Sequence, residues 1–430
     1  MNENMTRLCR VAAAGALVSS FAAASAQSGN GSSFGEVVSF VNQHSRLLVL
    51  SDDRSGASIA VWPAMQGRVL TSSAVGEHGR SFGWINRELI GSGKIEQHFN
   101  AVGGEDRIWI GPEGGQFSIF FAPGVSFDLD HWFTPAAIDT EAFDVVGQTK
   151  ASIALRRAFH LTNYSGTSFD VQIDREVRLL TGEEAWRDLR MAALNGVRVV
   201  GFESQNKLTN LGTSSWSKGT GLLSLWVLGQ FESTPETTII LPIHAGSTAA
   251  LGIPVTTDYF GTVPAGRIVV KPEAVLFKAD SNYRSKLGLS PQRAKGILGS
   301  YDAQNHVLTI VQYSQPTEQA EYVNSAWRIQ AEPYKGDVAN CYNDGPPAPG
   351  KPQLGHFYEL ESSSPAKALK PQETIAHTQR TIHFVGTEQQ LDKIARATLG
   401  VRLEDVREFN SSAGRTQQVE PLIEDGSRSR

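Results

Sequence analysis

Two glutamates stand two residues apart in the run Phe357-Tyr358-Glu359-Leu360-Glu361. On a β-strand, alternation puts Phe357, Glu359 and Glu361 on one face and Tyr358 and Leu360 on the other. A carboxylate on a sheet face can take a proton from a hydroxyl group. It does so best where lost hydration raises its pKa toward neutrality. The ordinary alternative is a solvated strand face, where most glutamates sit.

Other residues could share that chemistry. His98 lies five residues before the pair Gly103-Gly104, which precedes the run Arg107-Ile108-Trp109. Two glycines ahead of a strand mark a tight turn or a close backbone approach. Between Tyr334 and Pro347, Asp337 and Asn340 offer hydrogen bonds to vicinal hydroxyls, while Asn343-Asp344-Gly345-Pro346 reads as a turn. Trp84, Trp109 and Trp132, Trp109 foremost, offer flat apolar faces on which a ligand could pack; most tryptophans in a β-rich chain are core. Arg87 and Arg68 could bind hydroxyls or a carboxylate, or sit in surface ion pairs. His160 reads as a structural histidine.

The elements that must position these residues are mostly strands. Short β-forming runs recur from residue 47 to 384, separated by turn signals such as Asp52-Asp53-Arg54-Ser55-Gly56. Strands are expected at 47–50, 57–62, 68–70, 107–110, 117–121, 152–163, 168–180, 197–209, 222–227, 237–243, 267–278, 306–313, 326–332, 357–361 and 374–384. Helices are few: 34–42, 183–193 and 388–399. In the last, Leu391, Ile394, Ala395 and Leu399 form one apolar stripe, with Thr387 as N-cap and Gly400 as stop. The segment from 410 reads as a polar frayed tail. This pattern predicts an all-β chain, a large antiparallel sandwich with a short C-terminal helix.

Composition narrows the function classes. The chain has 430 residues and a net charge of −5, both signs dispersed. No basic stripe suits a nucleic acid, and no basic face suits a membrane surface. Arg7 and Arg10, the small apolar run 11–24 and Ala24-Ser25-Ala26 read as a signal peptide cut before Gln27. A periplasmic or secreted protein is expected, without membrane insertion. The only cysteines are Cys9 and Cys341. After cleavage no intramolecular disulfide is possible, and Cys341 reads as an inert thiol in a polar loop. No clustered Cys/His pattern suggests a metal.

Residues 355–384 resemble the C-terminal catalytic hairpin of the galactose mutarotase (aldose 1-epimerase) superfamily. Leu360-Glu361-Ser362 is similar to the strand that carries its base glutamate. Leu369-Lys370-Pro371-Gln372-Glu373 is similar to the following L-x-P-G-E, with Gln372 at the glycine. The segment around Gly103-Gly104 resembles the family's H-G-G region, and Trp109 to Gly115 looks like that of an uncharacterised exported bacterial subfamily. Thr162-Asn163-Tyr164-Ser165 resembles T-N-H-S, with Tyr164 at the histidine.

The resemblance implies a mutarotase-like β-supersandwich over residues 27–386, then a helix and tail over 387–430. It implies Glu361 as general base and His98 or Tyr164 as acid. Glu359, Asp337, Asn340, Trp109 and Arg87 would contact substrate. The ligand would be a mono- or oligosaccharide, no metal or organic cofactor is called for, and a monomer is expected. A non-catalytic sugar-binding accessory, or a glycoside hydrolase or lyase, would use the same fold.

Overall fold

The computed structural model describes residues 31–416 other than 318, so the expected signal peptide lies outside the described residues. Residues from Ser32 onward form one unit built on two antiparallel sheets. The smaller sheet has eight strands. In spatial order they are β1 (Leu48–Ser51), β2 (Ser58–Trp62), β3 (Arg68–Ser73), β4 (Gly104–Gly111), β9 (Ser224–Glu232), β17 (Phe357–Ser363), β16 (Ala339–Asn343) and β13 (Ser285–Leu289). The larger sheet has ten: β11 (Ile268–Val270), β12 (Ala274–Lys278), β10 (Thr237–Pro242), β14 (Ile297–Asp302), β15 (Val307–Tyr313), β18 (Thr374–Val385), β8 (Arg198–Asn210), β7 (Ser168–Leu180), β6 (Ser152–Thr162) and β5 (Asp144–Gln148). The sheets stack face to face, and their facing apolar side chains form the core. Leu287, Cys341, Tyr358 and Leu360 from the smaller sheet meet Ile239, Val275, Phe277 and Leu298 from the larger.

The outer faces are treated differently. Helices α3 (Gly182–Asp188), α5 (Glu388–Thr398) and α6 (Leu403–Thr416) cover the larger sheet, and the single turn α4 (Thr248–Leu251) lies between β10 and β11 in the chain. Leu391, Ile394, Leu399, Leu403 and Phe409 pack on the larger sheet's Leu276, Leu308, Ile310 and Phe384. Thr387 caps α5 in a reciprocal capping box, and Gly400 takes φ +71° just past its end. Helix α1 (Phe34–Asn42) covers only the β2–β3 end of the smaller sheet, through Phe34, Val37 and Val41 on Ala60, Trp62 and Leu70. The rest of that outer face floors a cavity.

One irregularity decides what faces the cavity. Along β4 and β9, Gly104 pairs with Gln230 and Arg107 with Leu228, so three steps on β4 match two on β9. This bulge turns both Glu105 and Asp106 inward, between the sheets, and sends Arg107 outward. The glycine pair makes the entry possible. Gly103 has φ +99°, and a Cβ there would lie 1.9 Å from the Trp84 carbonyl oxygen.

Several expectations are corrected. Residues 117–121 form no strand: Phe117, Phe120 and Phe121 are buried by tertiary contacts, and Ser118 N donates to Gly115 O in a turn. Residues 326–332 form a loop tied by the Gln330 amide, which donates to the Asn324 and Ala326 carbonyls. Residues 267–278 split into a hairpin, β11 and β12. Cys341 lies not in a loop but buried on β16, facing the core, and burial pushes its thiol well up. The segment beyond residue 400 forms α6 where a frayed tail is expected from 410.

Candidate functional site

The outer face of the smaller sheet bears one continuous set of functional side chains. Arg107 and Trp109 come from β4, Trp226 and Gln230 from β9, Phe357 and Glu359 from β17, Tyr342 from β16 and Lys286 from β13. Together they floor a cavity of about 910 Å³. Its walls come from loops: His98, Trp132, Trp327, Phe260, Arg284 and Glu113. Alternation along five adjacent strands therefore does most of the positioning.

The two glutamates sit in different surroundings. Glu361 has no exposed surface. Its Oε2 accepts from Lys286 Nζ at 3.0 Å and from the Trp226 indole N–H at 2.9 Å; its Oε1 has no hydrogen-bond partner. Glu359 is 8% exposed and lines the cavity. Its Oε1 accepts from Gln230 Nε2 at 2.9 Å and lies 3.5 Å from Arg107 Nη2. Burial, then the like charge of Glu361, pushes the Glu359 carboxyl up to about 8. Because the two carboxyls interact, this proton belongs to the pair. Burial works against charge on Lys286, yet Glu361, Glu113 and Glu359 hold its ammonium above the ordinary lysine range. Burial also raises Glu113.

Arg107 is 2% exposed, and burial lowers its pKa. Its guanidinium carbon lies 4.0 Å from the centroid of the Trp109 ring and 4.9 Å from that of Phe99. Nε and Nη1 have no partner. The indole N–H groups of Trp109 and Trp132 and the Gln230 amide oxygen are also unpartnered. The aromatic wall is contiguous. Trp109 lies 5.3 Å from Trp226 and 6.2 Å from Trp132 between ring centroids, and Trp132 stacks on Trp327 at 5.8 Å.

The structure brings together only part of the expected set. Glu359, Trp109 and His98 line the cavity, and Glu361 lies against it through Lys286 and Trp226. His98 Nδ1 is 2.7 Å from the Trp132 carbonyl oxygen. A carbonyl only accepts, so Nδ1 carries the hydrogen and Nε2 is an acceptor when the ring is neutral.

Tyr164 does not line the cavity. It sits beyond β6, packed on Phe127, and its hydroxyl donates to Val125 O at 3.2 Å. Arg87 is also elsewhere, on helix α2 (Arg87–Ser92), over the Phe40 ring and donating to Ser32 Oγ. Asp337 and Asn340 meet at Tyr259, whose hydroxyl donates to Asp337 Oδ2 at 2.7 Å and accepts from Asn340 Nδ2 at 3.1 Å. Asp337 lines a separate 170 Å³ pocket, divided from the main cavity by Trp327, which lines both. Burial raises the Asp337 carboxyl. Arg68 is buried, with all three nitrogens bonded to Met65 O, Gly103 O and Gln66 Oε1.

Arg107, Lys286, Trp226, Gln230 and Glu113 were not foreseen as site residues. The signal for the first four was alternation in phase with Trp109 and Glu359, once the strands and their order are known. Among the described residues no group of three or more His, Cys, Asp or Glu is placed to hold a metal ion. No described helix is long and apolar enough to cross a membrane.

Comparison with known proteins finds one family and several distant structural likenesses. The chain is similar to the structure of the Slr1438 protein of Synechocystis sp. PCC 6803, at 13% identity and TM-score 0.47, over 80% of this chain and 96% of that one. It is similar to a putative aldose 1-epimerase of Escherichia coli K12, at 11% and 0.47, over 79% and 99%. It is also similar to a galactose mutarotase-like protein of Lactobacillus casei, at 10% and 0.45, over 79% and 100%. At such identities the function must be argued from this chain's own residues. No curated protein matches it. A family model matches residues 32–410, and the chain belongs to that family, the family of unknown function DUF6786.

Proposed function

We propose that the cavity on the smaller sheet binds a sugar and that the protein exchanges its anomers, as an aldose 1-epimerase does. The observation that carries this reading is the floor itself. A proton-holding carboxyl, Glu359, lies among amide, guanidinium and ammonium donors under a wall of indoles. Aromatic faces suit the apolar C–H face of a pyranose, and the polar groups suit its hydroxyls.

In the proposed reaction a base takes the proton of the anomeric hydroxyl as the bond from the anomeric carbon to the ring oxygen breaks. An acid gives a proton to that ring oxygen. The open aldehyde rotates and the steps reverse, so protons balance. Glu361 was the expected base, but it has no exposed surface and is held by Lys286 and Trp226. The proposal therefore gives the cavity-facing proton to Glu359, with the Glu361–Lys286 pair behind it, and the accepting role to His98 Nε2.

Proton NMR of freshly dissolved α-hexoses and their uronates tests this. Wild type should speed anomer exchange over buffer, and Glu359→Gln should lose about 100-fold or more. Wild type indistinguishable from buffer for every sugar would sink the epimerase reading.

A second reading, sugar binding without turnover, is favoured by Tyr164. It stands at the position of the family's histidine, yet its hydroxyl is engaged with Val125 O away from the cavity. Saturation-transfer signals from a sugar whose anomers do not exchange would select that reading. Export is part of the proposal and rests on residues 1–26. Protein recovered from the periplasm should begin at Gln27, and an intact Met1 end there would contradict it.

A further inference from the structure

Five buried arginines among the described residues allow a direct comparison of how guanidinium groups are satisfied. Arg68 bonds through all three nitrogens, as does Arg175, to Gly67 O, Asn206 Oδ1 and Asp106. Arg293 likewise donates from every nitrogen to the carbonyls of His244, Gly246, Ser247 and Gly252. Arg267 leaves only Nε unpartnered and is closed by the Asp280 carboxylate. Arg107 is the least satisfied of the five: two of its three nitrogens have no partner, and the third lies 3.5 Å from the Glu359 carboxyl oxygen that also accepts from Gln230. A buried charged donor left unpaired is costly, so its partner should come from outside the protein.

The neighbours of Arg107 point the same way. Trp109 and Trp132 line the same cavity, and their indole N–H groups are likewise unpartnered. The other floor cation, Lys286, is already paired with Glu361 at 3.0 Å. Arg284, at the wall, lies over the Phe260 ring at 3.9 Å with Nε donating to the Tyr342 hydroxyl. Beyond its 3.5 Å approach to Glu359, Arg107 thus keeps two nitrogens for one anionic group.

We infer that the ligand is an acidic sugar of the hexuronate class, whose carboxylate meets Arg107 and whose ring lies against Trp109. This rests on the carbohydrate reading above and narrows it. A carboxylate brings one negative charge and planar acceptors suited to a guanidinium. A phosphorylated sugar would present the same oxyanion chemistry with more charge, and the experiment separates the two.

Calorimetric titration would use glucuronate, galacturonate and mannuronate, the matching neutral hexoses, and the matching hexose 6-phosphates. At least one uronate should bind wild type about tenfold or more tightly than its neutral counterpart. That preference should vanish in folded Arg107→Met and persist in part in Arg107→Lys. The wild-type ratio decides the matter even if the methionine variant does not fold. Equal or tighter binding of the neutral sugars overturns the inference and leaves the carbohydrate reading standing. Tighter binding of the 6-phosphates overturns the uronate assignment. Uronate preference surviving in folded Arg107→Met overturns the role of Arg107. Binding of no sugar at all overturns both readings.

Discussion

Arg175 and Arg107 serve opposite faces of the same sheet. Arg175 reaches from β7 of the larger sheet into the layer between the sheets and closes on Asp106, which also accepts from Ser204 Oγ at 2.8 Å. Beside it Glu105 accepts from Ser72 and lies 2.8 Å from His383 Nε2. One residue past Asp106, Arg107 points to the cavity with two nitrogens unpaired. A single bulge divides the two worlds. Around Arg175 the polar groups between the sheets are paired within the protein, and Arg107 on the cavity floor keeps two nitrogens free. The difference shows how one strand can serve the fold and a cavity within three residues.

The sharpest way to break this comparison is to truncate each arginine. Arg175→Met leaves the Asp106 carboxylate buried without its cation and should cost about 3–5 kcal/mol in urea unfolding. Arg107→Met removes an incompletely paired charge, and its cost should stay within about 1 kcal/mol. Equal losses would erase the distinction between the two faces.

The next effect is pH dependence at Glu359. Its folded value, about 8, lies above that of an exposed glutamate. The folded state keeps a proton that the unfolded chain has released. Stability from this group is therefore complete below the unfolded value near 4.3 and is lost as pH rises toward 8. The slope is at most about 1.4 kcal/mol per pH unit. Glu359→Gln should flatten the wild-type decline between pH 5 and 8, and parallel curves would show that Glu359 holds no proton there.

The smallest effect belongs to Tyr164. Tyr164→Phe removes one hydrogen bond to Val125 O and should cost about 0.5–1.5 kcal/mol, with sugar binding unchanged. A lost ligand response would return Tyr164 to the site.

Much of the fold was legible because it follows alternation and turn chemistry. Strand β7 matches the expected 168–180, α1 matches 34–42, and the Thr387 cap and Gly400 stop are both in place. Gln372, where the resemblance to the mutarotase hairpin expects a glycine, takes φ +67°, the left-handed backbone that glycine favours. The failures have physical causes. Phe117 to Phe121 is an apolar run buried by tertiary packing, so its hydrophobicity says core but not ladder. Strands β5, β13, β14 and β16 were missed, and with β13 went Lys286.

The candidate site was half legible. The same-face pair Glu359 and Glu361 follows from local alternation, but which of them meets the cavity depends on Lys286 and Trp226, distant in sequence. The outward turn of Arg107 depends on a bulge that no local pattern announces.

The most direct test is a crystal structure of the protein saturated with the hexuronate that binds most tightly. The account predicts the sugar ring against Trp109, its carboxylate within hydrogen-bond distance of Arg107, and a hydroxyl or ring oxygen at Glu359. A sugar bound elsewhere on the molecule, with the cavity empty at saturating ligand, would contradict it.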